Sequence, residues 1–105
     1  MTMSPGVFSR NVLALAKAIP QGRVTTYVEI ARAAGNPHAS RAAGNALNKN
    51  PRPIRVPCHR VVCSDGRIGG YSLGARKKIT LLNSEGIQLR RGRVAGFQIA
   101  FFRFQ

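Results

Sequence analysis

The segment Pro57-Cys58-His59-Arg60 contains the residue types in this chain that are best suited to chemistry. A cysteine next to a histidine, in a basic loop stiffened by proline, is in a setting that favours the thiolate over the thiol. A thiolate is the soft nucleophile that attack on a saturated carbon requires. The alternative is structural, because a free cysteine often packs as a small hydrophobic residue. The pattern therefore predicts either a nucleophilic Cys58 or a merely buried one.

A metal-binding interpretation of the same segment is weaker. Cys58, His59 and Cys63 are all ligand types, but an adjacent Cys-His pair does not match the usual ligand spacing, and the fourth ligand would have to be His38. The chain has 2 cysteines, which do not form a disulfide framework, and an intracellular setting would keep them reduced. We therefore predict a protein without a metal ion and without a cofactor.

The chain contains only 3 acidic residues, so each can be interpreted separately. Glu29 has the spacing of a capping-box partner at the start of a helix. Asp65 lies in a predicted turn, before a glycine. Glu85 lies at the C-terminal end of a predicted helix, where a carboxylate opposes the helix dipole. It either pairs with a nearby Arg or Lys, or orients and polarises His59, which would in turn activate Cys58.

The charge balance of the chain is strongly basic. Its 105 residues include 17 Lys and Arg against 3 Asp and Glu, for a formal net charge of +14. Such an excess repels itself without a polyanionic partner, so nucleic acid is the leading partner and an acidic membrane surface the second. No apolar stretch is long enough for a membrane span, and the N-terminus lacks a secretory signal pattern. We expect an intracellular monomer, in the cytoplasm or in the nucleus of a eukaryote.

Hydrophobic periodicity predicts a single domain that is mainly α with a little β. Helices are expected over about residues 4–18, 26–34, 36–49 and 75–84, and a short strand over about 61–63. The second and third helices, joined by a tight turn at Gly35, form a helix-turn-helix candidate. The third helix is expected to start with Asn36 as its N-cap and Pro37 as its first residue.

Residues 90–105 form a basic and then phenylalanine-rich tail of the same domain. The alternation of Phe102 and Phe104 with Arg103 is compatible with a short strand that covers apolar surface of the core. The alternative is a disordered basic tail. The sequence therefore predicts either a tail that covers part of the core or a disordered one.

Short motifs follow one another in order along most of the chain. They are Val24-Thr25-Thr26-Tyr27, Arg41 with Ala42-Ala43-Gly44, Asn50-Pro51, the run from Ile54 to Val62, Gly70-Tyr71-Ser72, Leu81-Leu82 and Glu85-Gly86. This series resembles the active-site domain of O6-alkylguanine-DNA alkyltransferases, the methylated-DNA--protein-cysteine methyltransferase family. The resemblance implies one winged-helix-like helix-turn-helix domain, residues 1–89, that binds DNA and holds the active site. It also implies that the N-terminal domain of longer members is lacking.

The resemblance implies a catalytic role for four residues. Cys58 would accept the alkyl group, and His59 would help to form its thiolate through a water molecule. Glu85 would hold the histidine, and Asn50 would tie the helix-turn-helix to the active-site loop. The implied activity is direct DNA repair, in which an alkyl group such as methyl passes irreversibly from O6 of guanine to Cys58, once per molecule.

The resemblance also implies contacts to DNA and to a flipped base. Tyr27 would crowd a phosphate and help to rotate the target nucleotide, and Arg41 would fill the gap that the base leaves. The hydroxyl of Tyr71 would donate toward N3 of guanine and Ser72 toward O6. Backbone groups near Val61 would read the exocyclic amine.

Small residues, among them Ala42 and Gly44, line the predicted third helix. They allow either a close approach to a groove wall or tight packing on another helix. The resemblance implies that this helix enters the minor groove of duplex DNA containing O6-alkylguanine. Readout there is nearly independent of sequence, which suits a protein that must search everywhere. Because the alkyl carbon is hidden inside the duplex, the base must leave the stack.

Two other functions compete with alkyl transfer. Alkyltransferase-like proteins flip O6-alkylguanine and flag it for other repair systems without transfer, and they commonly carry tryptophan at the position of Cys58. The presence of Cys58, His59 and Glu85 together favours the transferase. A plain helix-turn-helix transcription factor leaves the segment 57–60 unexplained. Cys63 could in principle share the alkyl group, but it is expected to be structural because it lies beyond Val61 and Val62.

Overall fold

The computed structural model describes residues 4–105 and divides them into five helices and four short strands. The helices are α1 (Pro5–Ala16), α2 (Tyr27–Ala33), α3 (Ser40–Asn48), α4 (Ala75–Ser84) and α5 (Phe97–Ala100). The strands are β1 (Thr25–Thr26), β2 (Val61–Val62), β3 (Leu89–Arg90) and β4 (Arg93–Val94), and a 3-10 turn (Cys58–Arg60) precedes β2. The prediction of a mainly α domain with a little β is confirmed. Among the helices of residues 4–105, none combines the length and hydropathy needed to cross a bilayer.

Helices α1, α2 and α3 pack against one another around the main hydrophobic core. Helix α1 starts after Ser4, whose hydroxyl accepts a hydrogen bond from the amide of Val7 at 3.2 Å. This contact satisfies one of the amides that the first helical turn leaves unpaired. The buried residues of α1 are Phe8, Val12 and Ala16. Their spacing of four places them on one face, which sets the orientation of α1 on the other two helices.

Strands β1 and β2 bring the start of α2 next to the end of the 3-10 turn. They pair in parallel, with Thr26 opposite Val62, and both strands are fully buried. Tyr27 follows β1 directly and Cys58 lies just before β2. This short pairing therefore positions the tyrosine and the cysteine on neighbouring elements.

The capping box predicted for α2 is half correct. The hydroxyl of Thr26 accepts a hydrogen bond from the amide of Glu29 at 3.0 Å, as expected. The Glu29 carboxylate does not return to Thr26 but accepts from Arg32 at 2.8 and 2.7 Å and from the amide of Phe104 at 2.8 Å. The Arg32 guanidinium, three residues on along α2, is a stronger partner than the local amide. The amide of Phe104 comes from the distant tail, and no local sequence pattern indicates it.

Helix α3 starts later than predicted. The side chain of Asn36 accepts a hydrogen bond from the amide of His38 at 3.0 Å, so it closes a turn instead of capping the helix, which begins at Ser40. The buried residues of α3 are Ala43, Ala46 and Leu47. Ala42 is exposed. The small residues of this helix therefore divide between an inner face that packs on other helices and an outer face that is open.

Residues 90–105 are built into the domain and are not a disordered tail. Strands β3 and β4 form an antiparallel hairpin, and α5 follows. The amide of Phe102 donates to the carbonyl of Val24 at 2.6 Å, and the hydroxyl of Thr25 donates to the carbonyl of Phe102 at 2.8 Å. Phe104 is buried in the same core as α1 and α2. The end of the tail therefore covers apolar surface beside β1.

Candidate active site

An open cavity of about 380 Å³ lies between α2, α3 and the 3-10 turn. Five of the residues singled out from the sequence line it, namely Tyr27, Arg41, Gly44, Cys58 and Tyr71. Three others do not line it but form hydrogen bonds near Cys58: Asn50 contacts its sulfur, and His59, the next residue in the chain, contacts Glu85. The remaining three, Val61, Ala42 and Ser72, are not among the residues that line the cavity. Val61 is buried, and the other two are exposed.

Cys58 combines burial with access to the cavity. Its exposed fraction is 4%, yet it forms part of the cavity wall. The side-chain amide of Asn50 donates to Cys58 Sγ at 3.4 Å and to the carbonyl of Val56 at 2.9 Å. Asn50 is itself buried, and its oxygen accepts from the amide of Arg52 at 2.9 Å. These contacts fix the position of the sulfur in the cavity wall.

Glu85 holds both residues that follow Cys58. Its Oε2 lies 3.0 Å from His59 Nε2 and accepts from Arg60 Nη2 at 2.7 Å, and its Oε1 accepts from Arg60 Nε at 2.9 Å. The Arg60 contact is bidentate, which fixes the plane of the carboxylate. The sequence allows two roles for Glu85, an ion pair with an arginine and a hydrogen bond to the histidine. The carboxylate has both roles, because it contacts Arg60 and His59 at the same time.

The pKa values of the His59–Glu85 pair follow from burial and from their neighbours. Burial is the largest influence on His59 and lowers its pKa, although the Glu85 carboxylate acts in the opposite direction. Burial alone would raise the pKa of Glu85, but the hydrogen bonds from Arg60 and His59 outweigh it and lower that pKa. A neutral imidazole beside an ionised carboxylate is the state in which histidine can accept a proton.

The ring nitrogens of His59 have different surroundings. Nε2 faces the carboxylate, so the neutral ring carries its proton there. Nδ1 is buried and has no hydrogen-bond partner among residues 4–105. The nitrogen with the free lone pair is therefore Nδ1, and the Glu85 contact selects this tautomer.

Lys78 is a buried cation that the sequence does not reveal. In the first half of α4, Lys78 is the residue that is fully buried. Its Nζ donates to the carbonyls of Val61 at 2.7 Å and Gly70 at 3.0 Å. Burial lowers the pKa of Lys78 to about 8, although Cys58 and Cys63 act in the opposite direction. No charge pattern on α4 distinguishes this lysine from its exposed neighbours.

Lys78 also reaches the hydroxyl of Tyr27 at 3.4 Å, and that hydroxyl lies 3.4 Å from the carbonyl of Gly70. Burial raises the pKa of Tyr27 to about 12, and the two cysteines add to this shift. A Cβ at Gly69, where φ is +72°, would lie 2.8 Å from the same hydroxyl. The loop at residues 69–70 therefore closes tightly over Tyr27, and Lys78 anchors it.

Lys78 makes the free energy of unfolding depend on pH in the alkaline range. Its folded pKa of about 8 lies below its ordinary value of 10.5, so the unfolded chain binds more protons between these values. We therefore expect the free energy of unfolding to rise from pH 8 to pH 10. Above that window Tyr27, with its raised pKa, acts in the opposite direction. Lys78→Met should remove the rise, as measured by denaturant unfolding at several pH values.

The matched control for this experiment is Lys77→Met, which removes an exposed charge from the same helix. It should keep the alkaline rise. Lys78→Met should also lower stability by about 1–3 kcal/mol at the top of the window, because two carbonyl groups lose their donor. An equal rise in the Lys78→Met variant and in the wild type would contradict the assignment.

Tyr71 and Cys63 complete the cavity wall. The hydroxyl of Tyr71 is buried and has no hydrogen-bond partner within residues 4–105. Its ring lies edge-on to His59 with centroids 6.3 Å apart. Cys63 lines the cavity together with Cys58, so its interpretation as a purely structural residue is incomplete. The strand ends at Val62, one residue earlier than predicted, and Cys63 follows it directly.

The model of the 6-O-methylguanine DNA methyltransferase DNA-binding domain matches residues 7–87. The chain belongs to this family. The human methylated-DNA--protein-cysteine methyltransferase is 48% identical over 90 residues, which are 85% of this chain and 44% of that protein. The protein of the same name from Methanothermobacter thermautotrophicus is 47% identical over 83 residues, which are 78% of this chain and 46% of that protein. The chain thus spans less than half the length of these relatives.

Solved structures of 6-O-methylguanine methyltransferases share the fold of this chain. The Mycobacterium tuberculosis enzyme has a TM-score of 0.70 at 39% identity, over 80% of this chain and 51% of that chain. Schizosaccharomyces pombe Atl1, crystallised with damaged DNA containing O6-carboxymethylguanine, has a TM-score of 0.83 at 29% identity, over 99% of this chain and 100% of that chain. The resemblance inferred from the sequence motifs is therefore confirmed at the level of family and fold.

Proposed function

We propose that this protein repairs O6-alkylguanine in DNA by moving the alkyl group onto Cys58. The observation that carries the proposal is the position of Cys58. It lies in the wall of the cavity, with Asn50 donating to its sulfur, and the next residue in the chain, His59, is held by Glu85. The membership of the chain in a family whose relatives are named methylated-DNA--protein-cysteine methyltransferases supports the same chemistry.

The reaction is a single displacement at the alkyl carbon. The Cys58 proton passes through a water molecule to Nδ1 of His59, the nitrogen that the Glu85 contact leaves with a lone pair. The thiolate attacks the carbon, the bond from that carbon to O6 breaks, and its electron pair leaves with guanine. A hydroxyl, from Tyr71 or a neighbouring donor, supplies the proton that neutralises the guanine, and the proton that His59 took from Cys58 returns through water to that hydroxyl. The thioether that forms has no good route back, so each molecule acts once.

Arg41 and Tyr27 act on the DNA in this proposal. Extrusion of a base costs a few kcal/mol, least when the base is damaged. Arg41 on α3 takes the vacated place in the stack, where its guanidinium can stack and can also reach a phosphate. Tyr27 helps to rotate the nucleotide by crowding its phosphate. The exposed Ala42 and the half-buried Gly44 let α3 approach the floor of the minor groove.

Tyr71, Ser72 and Val61 bind the flipped guanine in this proposal. The unpartnered hydroxyl of Tyr71 would donate toward N3, and the exposed Ser72 would donate toward O6 once the base is bound. The carbonyl of Val61 already accepts from Lys78, and its second lone pair remains for the exocyclic amine. Residues 1–89 carry this site, residues 90–105 complete the domain, and the protein acts as a monomer inside the cell.

The second candidate function is lesion binding without transfer. The observation that favours it is the likeness to Atl1, which extends over 99% of this chain and 100% of that one. The presence of Cys58, with the hydrogen bonds described above, favours transfer. Both candidates require the same base flipping and the same cavity, so they differ only in the fate of the alkyl group.

The experiment that separates them is intact-mass spectrometry after incubation with a duplex containing O6-methylguanine. Transfer predicts a gain of one methyl group per molecule, which saturates, together with restored guanine in the DNA. Tight, lesion-selective binding without a change in mass would replace transfer by lesion binding. Neither binding nor transfer would contradict both candidates.

A further inference from the structure

Four arginines surround a second cavity, of about 770 Å³, at the β3–β4 hairpin. This arginine cluster consists of Arg67, Arg90, Arg91 and Arg93, all of them exposed. Val94, Ala95 and Gly96 form the rest of the wall. Arginine is therefore the most frequent residue around this cavity.

The cluster places like charges directly opposite one another. Arg90 pairs with Arg93 across the hairpin, and Arg67 pairs with Arg93 on its other side. Like charges in opposite positions of adjacent strands destabilise the pairing. Residues of opposite charge would stabilise the same hairpin, so this arrangement lowers the stability of the free protein.

The backbone conformation of the hairpin turn also lowers the stability of the free protein. Arg91 has φ +55° and Gly92 has φ +78°, the pattern of the tight turn that favours asparagine or glycine at its first central position. An arginine there adopts a left-handed conformation that its Cβ disfavours. Unfavourable backbone conformations that persist at one place point to a function there.

One exposed carboxylate, that of Asp65, offsets only a small part of this charge. Each acidic residue of the chain already has a partner: Glu29 binds Arg32, Glu85 binds His59 and Arg60, and Asp65 lies 3.4 Å from Arg67. The last of these pairs is exposed on both sides, so it contributes little. The cluster therefore retains a net positive charge that an external anion would neutralise.

One turn, residues 63–67, connects the arginine cluster to the cavity that Cys58 lines. The amide of Cys63, which lines the first cavity, donates to the carbonyl of Arg67, which lines the second, at 2.8 Å. The amide of Val94 donates to the carbonyl of Gly66 at 2.8 Å, which fixes the hairpin to this turn. The two cavities therefore adjoin the same turn, at residues 63–67.

We propose that the arginine cluster binds backbone phosphates of the same duplex that delivers its base to Cys58. The inference rests on the proposed function and extends the DNA contact beyond the helix-turn-helix. Three of the four arginines lie after residue 87, where the family match ends. Duplex DNA carries phosphates densely along each strand, and guanidinium groups bind them in a bidentate manner. The cluster thus adds affinity without adding sequence preference.

The test is the salt dependence of DNA binding by a triple variant, Arg90→Gln, Arg91→Asn and Arg93→Gln. Each lost phosphate contact lowers the slope of log K against log salt by about 0.9, so the slope should fall by about 2–3. The melting temperature without DNA should rise, because the variant removes the opposed charges and places asparagine in the turn. The matched control is Arg10→Gln, Lys17→Gln and Arg103→Gln, which removes the same charge from other exposed positions.

This experiment distinguishes a failure of phosphate binding by the cluster from a failure of the proposed function. A fall in slope for the cluster variant that clearly exceeds the fall for the control supports phosphate binding by the cluster. Equal slopes for the two triple variants, with methyl transfer intact in the wild type, would overturn the inference and leave the proposed function standing. A wild-type protein that neither binds lesion DNA nor gains a methyl group would overturn both.

Discussion

Cys58→Ser should abolish methyl transfer and leave lesion binding intact. Serine keeps the size of the side chain, so the cavity and the hydrogen bond from Asn50 persist. Its hydroxyl does not ionise near neutral pH, whereas a cysteine thiolate is accessible there and is an intrinsically better nucleophile. Intact-mass spectrometry should detect no methylated protein. Fluorescence anisotropy with a duplex containing O6-methylguanine should give an affinity close to that of the wild type.

Cys63→Ser is the matched control, because both thiols lie in the wall of the same cavity. This variant should still gain one methyl group, at a rate near that of the wild type. A Cys58→Ser variant that still gains a methyl group, while Cys63→Ser does not, would move the acceptor to Cys63. Loss of lesion binding in Cys58→Ser would mean that the sulfur contributes to recognition as well as to chemistry.

Glu85→Gln should reduce both the rate of transfer and the stability of the fold. An amide in place of the carboxylate removes the charge that selects the tautomer of His59, and it replaces one of the two oxygens that accept from Arg60 by a donor. We expect the single-turnover rate constant to fall on the order of 10²-fold, the lower end of what a positioned base contributes. Stability should fall by about 3 kcal/mol, because a largely buried guanidinium loses its partner.

Glu29→Gln is the control that separates the effect on the rate of transfer from the effect on stability. Glu29 is the other buried carboxylate, it binds an arginine and a backbone amide, and it does not line the active-site cavity. Its substitution should lower the melting temperature and leave the rate constant of transfer unchanged at a temperature where both variants are folded. If Glu85→Gln transferred methyl as fast as Glu29→Gln, Glu85 would have a structural role only.

Local patterns in the sequence were sufficient for the elements whose determinants are local. Helix α4 has the predicted bounds, because its periodicity is regular and Gly86 follows its end. The prediction of a partnership between Glu85 and His59 drew on the family resemblance and on the absence of other roles for that acid. Their contact joins the end of α4 to the 3-10 turn.

The features that the sequence did not reveal depend on contacts between distant segments. Lys78 is buried because the carbonyls of Val61 and Gly70 converge on its ammonium group, and neither is close to it in sequence. One of the two partners of Glu29, the amide of Phe104, comes from the far end of the chain. The start of α3 was misplaced for a different reason. The Asn36-Pro37 pair is compatible both with a helix N-cap and with an isolated turn, and only packing decides between them.

The most direct test of the central claim is peptide mapping by tandem mass spectrometry, after one equivalent of duplex containing O6-methylguanine has reacted. The protein described here should carry one methyl group on the sulfur of Cys58 and an unmodified Cys63. A methyl group on Cys63, or a protein that remains bound to the lesion with both thiols unmodified, would contradict transfer to Cys58.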